Sequence, residues 1–289
     1  MQFSQLIIHL LNGLSYGLLL FLMASGLSLI FGFMGIINLA HGSYYMLGAY
    51  TGIAVYGATG SFILSLIASG LVVSICGILI ERFFISNLYK RELDQVLLTF
   101  GFSYIFMDIC KWLWGGTPRS LPTPSMLKGS IYIAGDAFPV YRLGLILIGL
   151  ITAVALNIYM SKTRTGMIIR AGVDDKEMVT GMGLNIKMYF TVVFALGAML
   201  AGFGGVFGGP VVGAYPGCDS DILVLTLAVV VIGGLGTLKG AFWGSILIGF
   251  VETFGKIIFP DFSIVTIYVS MVLILIFRPR GLFGKEGAR

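Results

Sequence analysis

The chain has 289 residues, of which 57% are apolar and 11% charged, with a mean hydropathy of +0.99 and a formal charge of +5 at pH 7. Soluble domains carry about 25% charged residues, so this composition excludes a soluble enzyme, a nucleic-acid-binding domain and a disordered chain. The basic excess then reads as the charge that holds loops on one side of a membrane, not as a surface for nucleic acid. Forty-one glycines suit close approach of membrane helices. Cys76, Cys110 and Cys218 give no disulfide framework and no C-x-x-C pair. With His9 and His41 the only histidines, a multi-His metal site is excluded, and no cofactor is expected.

The first 80 residues contain no Asp, Glu, Lys or Arg; the first charge is Glu81. A secretory signal opens with a basic segment, and Met1-Gln-Phe-Ser-Gln5 has none, so the opening apolar stretch is expected to be retained. A hydrocarbon core about 30 Å thick takes roughly 20 apolar residues of helix. Runs of that kind fall near 6–30, 34–57, 61–80, 94–112, 142–160, 188–211, 221–237, 240–259 and 262–277. The 221–237 run is short and flows into Gly233-Gly-Leu-Gly236, and 34–57 is interrupted by Gly and polar residues. The expected fold class is therefore all-α: one polytopic membrane domain over 1–289, with eight to nine hydrophobic segments, some of them Gly-rich broken or re-entrant helices.

Alternating crossings put the 82–93 and 162–187 loops on one side and 111–142 on the other. Followed through, this places 13 of the 18 basic residues on the first side and five on the second. The positive side is the cytoplasmic one. Nine crossings then put the N-terminus outside and the C-terminus inside. The stretch 113–141, with Pro118, Pro122, Pro124 and Pro139, is the main external loop, either a meeting place for a soluble carrier or a plain connection. Asp219 and Asp221, beside Pro216-Gly217, mark the outer boundary. Asp108 with Lys111 and Glu252 with Lys256 stand three and four residues apart, so each pair is expected to neutralise itself on one helix.

The 162–187 loop is the most informative soluble feature. Asp174 or Asp175 suits a helix N-cap, Glu177 suits the first turn, and Gly183 suits the stop. Met178, Met182 and Leu184 form a small apolar face. Two readings stay open from the residues: a short helix that docks a partner and passes its movement to the spans, or an ordinary solvated loop bearing a surface helix. Two glycine-rich breaks follow: Gly32-Phe-Met-Gly35-Ile-Ile-Asn38-Leu-Ala-His41-Gly42, and Gly233-Gly-Leu-Gly236-Thr237-Leu-Lys-Gly240. Interrupted apolar segments in both halves point to a transport path, with Gly35, Asn38, His41, Gly233, Gly236 and Thr237 as its candidate lining. Plain packing of helices at small residues accounts for the same glycines. No nucleotide-binding loop, nucleophile elbow or zinc motif is present.

Four ordered stretches together resemble the membrane permeases of branched-chain amino acid ABC importers, the LivH/LivM type and closer to LivH. They are Gly26-Leu-Ser-Leu-Ile-Phe-Gly-Phe-Met-Gly-Ile-Ile-Asn-Leu-Ala-His-Gly42, Arg164-Thr-Gly…Arg170-Ala, Ile232-Gly-Gly-Leu-Gly-Thr-Leu-Lys-Gly-Ala241 and Arg278-Pro-Arg-Gly-Leu-Phe-Gly284. The resemblance implies a non-catalytic importer half-channel in a bacterial plasma (inner) membrane. It implies a second permease subunit, two cytoplasmic ATPase subunits that hydrolyse ATP, and an external substrate-binding protein as partners, besides membrane lipid. It places the ATPase-coupling segment on 164–184, with Arg164, Arg170, Asp174, Asp175, Glu177, Met178 and Met182 as the candidate contacts. Where relatives tend to have small Ala residues before the Met-Gly pair, this chain has Met178-Val-Thr-Gly181. The substrate implied is a small apolar zwitterion, leucine, isoleucine or valine. An ion-coupled secondary carrier of small amphipathic solutes is the alternative, for which the sequence offers few buried titratable groups.

Overall fold

A computed structural model describes residues 3–89, 91–133 and 135–284; Met1, Gln2, Lys90, Lys285 and Arg289, which entered the sequence reading, lie outside them. Among the described residues the apolar runs fold as nine helices: α1 (Phe3–Met34), α2 (His41–Thr59), α3 (Phe62–Phe83), α4 (Glu92–Trp114), α5 (Val140–Lys162), α8 (Ile186–Gly208), α9 (Cys218–Gly233), α10 (Leu238–Ile258) and α11 (Ser263–Phe277). Between α5 and α8 lie two short helices, α6 (Arg164–Asp174) and α7 (Lys176–Gly181). Six helices, α1, α3, α4, α5, α8 and α10, are long and apolar enough to cross a membrane. That is fewer than the eight to nine expected segments, because the runs at 34–57, 221–237 and 262–277 give more polar or shorter helices. A hairpin of β1 (Ser130–Ile133) and β2 (Asp136–Pro139) sits within the 113–141 stretch, and Arg119 and Ala214 exchange backbone hydrogen bonds of 2.8 and 2.7 Å.

The helices begin where short polar side chains cap them. Ser61 accepts from Leu64 N, Thr163 from Gly166 N, Asp175 from Met178 N, Asn185 from Met188 N and Thr237 from Gly240 N. Each cap satisfies one of the amide donors that a helix leaves open at its start. Of the two N-cap candidates read from the sequence, Asp174 and Asp175, it is Asp175 that caps. Thr163 starts a further helix, α6, in a stretch read as loop.

α1 is the axis. Its 32 residues span about 48 Å at 1.5 Å per residue, longer than the hydrocarbon core, and its second half is almost wholly buried. Neighbours approach it backbone to backbone. A Cβ on Gly17 would lie 2.7 Å from the Ser245 carbonyl oxygen, and one on Gly26 would lie 2.5 Å from that of Gly197. The Gly13–Gly249, Gly17–Ser245 and Gly32–Gly236 contacts run α10 antiparallel to α1. Gly26 against Gly197 and Phe33 against Phe190 run α8 antiparallel to α1 as well. Serines tie α3 to α8: Ser69 Oγ donates to Gly202 O at 3.0 Å and Ser74 Oγ to Ala195 O at 3.2 Å. The apolar surfaces left outward, such as Ile63, Ile67 and Leu71 on α3 and Leu147, Ile151 and Val154 on α5, suit lipid or a second membrane subunit.

Such tight packing is intolerant of added volume. Gly26→Val is expected to destabilise the protein by about 1–3 kcal/mol or more, read as loss of the monodisperse species and a lower unfolding temperature in detergent. Gly101→Ala, with nothing within 4 Å of the added atom, is expected to match the parent.

Candidate functional site

Both glycine-rich breaks form, and they meet. After α1 the chain leaves helical geometry at Gly35 (φ 73°) and re-enters the bundle before α2 starts. His41 Nε2 lies 3.0 Å from Met23 O, eleven residues back from the end of α1, or about 16 Å along it. Irregular backbone at such depth must be satisfied by protein. Asn38 Oδ1 accepts from Ala40 N at 3.1 Å, Asn38 O from His41 N at 3.2 Å, and Thr99 Oγ1 from Leu39 N at 3.2 Å. Asn38 and His41 are fully buried and brace this turn; the Asn38 Nδ2 and His41 Nδ1 atoms make no hydrogen bond.

The second break lies between α9 and α10, with Gly234 and Gly236 at φ 108° and 77°. A Cβ on Gly32 would stand 2.5 Å from Gly236 O, and Gly233 and Gly240 touch through their backbones. Thr237 Oγ1 donates to Gly234 O at 3.0 Å while capping α10. The motif Arg278-Pro-Arg-Gly-Leu-Phe-Gly284 closes the same end: Leu282 N donates to Ile232 O and Phe283 N to Gly233 O, at 2.8 and 2.9 Å. These bonds satisfy the last carbonyls of α9, which a helix end leaves open.

The 162–187 segment converges on this junction. A Cβ on Gly172 would lie 2.6 Å from the Phe33 ring, so α6 rests on the end of α1. Lys176 Nζ lies 3.5 Å from Met34 O and 5.4 Å from the Phe190 ring centroid, and partial burial there lowers its pKa. Ile168, Ile169 and Val179 are buried beneath the segment. Arg164, Asp174, Asp175, Glu177, Met178 and Met182 face outward, the two methionines 64% and 68% exposed, while Arg170 Nη2 reaches Ser161 O at 3.4 Å. The segment is two helices, not one, and its outer face carries the residues singled out in the sequence.

Two buried carboxylates were not legible in their roles. Glu81 accepts from the Tyr89 hydroxyl and from Thr191 Oγ1 at 2.6 Å, joining α3 to α8 beside Phe190. Burial, and then the bond to Glu81, raises the Tyr89 pKa. Asp219, expected at the outer boundary, is only 4% exposed. It accepts from Ser43 Oγ at 2.9 Å, and α2 passes so close that a Cβ on Gly42 would overlap the Asp219 carbonyl. Its place in the first turn of α9 sets its charge against the positive helix end. Cys110 and Cys218 are buried free thiols. The pairs on single helices form as expected, Lys111–Asp108 at 3.6 Å and Lys256–Glu252 at 2.5 Å.

A lipid-compatible bundle whose interrupted helices meet beneath a docked surface segment is a multi-pass membrane protein of the transport kind. Comparison with known proteins makes this specific. Residues 9–277 match the family model of the branched-chain amino acid transport system permease component, and the chain belongs to that family. It is 28% identical to the high-affinity branched-chain amino acid permease BraD of Pseudomonas aeruginosa, over 96% of this chain and 95% of that one. It is 25% identical to LivH of Escherichia coli K12, over 98% and 97%. A probable LivH of Methanocaldococcus jannaschii is 24% identical over 94% and 90%. Among solved structures, PsaBC of Streptococcus pneumoniae in complex with Fab shares the fold, with a TM-score of 0.50 and 15% identity over 93% of this chain and 91% of that one.

Removing the Ser43 hydroxyl takes away the Asp219 hydrogen bond recorded here. Ser43→Ala is expected to cost about 1–3 kcal/mol, measured as a lower unfolding temperature in detergent. Ser43→Ala combined with Asp219→Asn should cost less than the sum of the two single changes, since the charge that needed the bond is gone.

Proposed function

We propose that this chain is one membrane subunit of an ATP-driven importer of branched-chain amino acids in a bacterial inner membrane. The reading has nine crossings, the N-terminus outside and the C-terminus and the α6–α7 segment in the cytoplasm. A second permease subunit would complete the path, an external binding protein would deliver substrate, and two cytoplasmic ATPase subunits would supply the work. The family match over residues 9–277 carries the substrate class. The docking of Gly172 and Lys176 on the end of α1 supports the coupling role.

In this mechanism an ATPase grips the outward face of α6–α7, at Arg164, Arg170, Asp174, Asp175, Glu177, Met178 and Met182. Its movement reaches α1 through Phe33 and Met34, and α8 through Phe190. Phe33 and Met34 adjoin Gly32, which touches Gly236 of the second break, so in this reading a rigid displacement there moves Gly35 against Gly233, Gly236 and Thr237, while Asn38 and His41 line the path deeper in the bundle. Nucleotide binding in the partners shifts the balance only by its different affinity for the two arrangements. The buried Asp219 carboxylate favours one rival, an ion-coupled carrier, since intramembrane acids often serve proton or cation coupling.

Reconstituted vesicles separate the two. Leucine uptake is expected to need the ATPase subunits and ATP, and to fall by about tenfold or more in Met178→Asp, roughly what a buried apolar anchor contributes at an interface. Uptake that persists without the ATPases and collapses with the proton gradient supports the carrier instead. A Thr180→Cys thiol should react only with reagents admitted to the cytoplasmic side; reaction from outside contradicts the orientation.

A further inference from the structure

A cleft of about 450 Å³ opens beside the first half of α1, between α1, α5, α10 and residues 211–212. It lies at the end of the bundle opposite α6–α7. Its volume falls within the about 300–1,000 Å³ usual for small-molecule sites. Three charged residues line it, Arg142 from the first turn of α5 and the ion-paired Glu252 and Lys256 from α10. The remaining wall mixes apolar side chains, Leu19, Leu145, Val211, Val212 and Ile257, with the polar His9, Asn12, Ser15, Tyr16 and Thr253.

Arg142 and Glu252 are not spent on each other. Among the described residues Arg142 forms no ion pair, and it donates to the neutral Asn12 Oδ1. A guanidinium has five N–H donors, so most of its capacity for an anion is left over. Glu252 is held by Lys256 at 2.5 Å, and the lysine is the exposed member of that pair. An ionisable group in a membrane bundle without a counter-charge marks a functional position, which here is Arg142; Glu252 takes a second cation only in exchange for the exposed Lys256. A cation on one wall, a carboxylate on another and apolar side chains between them match the three parts of a small aliphatic α-amino acid.

We propose that this cleft is an entry site for the zwitterionic substrate: Arg142 receives the carboxylate, Glu252 receives the ammonium and the apolar part of the wall receives the side chain. The assignment rests on the importer reading for its substrate and on the cleft for its geometry. It places the site on a single permease subunit, at the face where an external binding protein would release its cargo.

The test uses the whole importer in nanodiscs, with Val211→Cys as reporter; Val211 is 39% exposed and carries none of the charge. Modification of this thiol by a charged methanethiosulfonate is followed with and without leucine. Leucine at twice its Kd should slow the reaction about threefold, from the factor 1 + [L]/Kd. Isoamylamine, which lacks the carboxylate, and 4-methylpentanoate, which lacks the ammonium, should protect far less. Adding Arg142→Gln should raise the leucine concentration needed by about tenfold, as for one lost charge-assisted contact, and should leave isoamylamine unchanged. Glu252→Gln should do the converse. Equal protection by all three compounds, or protection that follows headgroup composition and not leucine, overturns the site and marks a lipid groove. If the complex takes up leucine with ATP while leucine leaves the thiol rate unchanged, the cleft assignment falls and the importer reading stands. If protection is seen without ATP-driven uptake, the cleft stands and the importer reading falls.

Discussion

Gly13, Gly17, Gly26 and Gly32 let the backbone of α1 touch the backbones of α8, α10 and the break before α10. Lipid offers helices no hydrophobic reason to associate, so close van der Waals contact at small residues has to do that work. These contacts fix α1 against α10 along most of its length. They leave α5 against α1 through a side chain, where Gly149 meets Leu18. The cleft lined by Arg142 opens on this side, and the junction at Gly32 to Met34 sits at the other end of the same helix.

The placing of charge follows from that frame. A tightly packed apolar bundle excludes water, so each buried acid needs donors of its own. Glu81 finds Tyr89 and Thr191, and Asp219 finds Ser43 and a helix start. Both tie one helix to another across more than 100 residues of sequence, Glu81 to Thr191 and Ser43 to Asp219. Arg142 differs: among the described residues it forms no ion pair, and it faces a cleft while donating to the Asn12 amide oxygen.

Local features were legible in the sequence and long-range ones were not. Nine apolar runs, the Asp175 cap, the Glu252–Lys256 pair and both glycine breaks depend on neighbours within about one turn, which spacing reports directly. That Gly32 meets Gly236, or that Arg278 to Gly284 caps α9, depends on residues far apart in the chain, and no local period encodes it. The burial of Asp219 was not legible for the same reason: it comes from the approach of α2, which nothing beside Pro216-Gly217 announces. The α6 helix was missed because Arg164-Thr-Gly resembles a turn until the Thr163 hydroxyl is seen to cap it.

In the proposed mechanism α1 is a rigid member, held at one end by α6–α7 and lining the cleft with the other. Spin-label distances in the assembled importer test this most directly, with one pair at Gly35 and Thr180 and another at Leu10 and Leu147, compared without nucleotide and with ATP trapped in the partner subunits. The first distance should stay constant while the second changes, since the inner contact transmits motion and the outer faces of α1 and α5 separate. An inner distance that shifts while the outer one stays fixed would mean that the surface segment slides over α1 without moving it, and the central claim would be wrong.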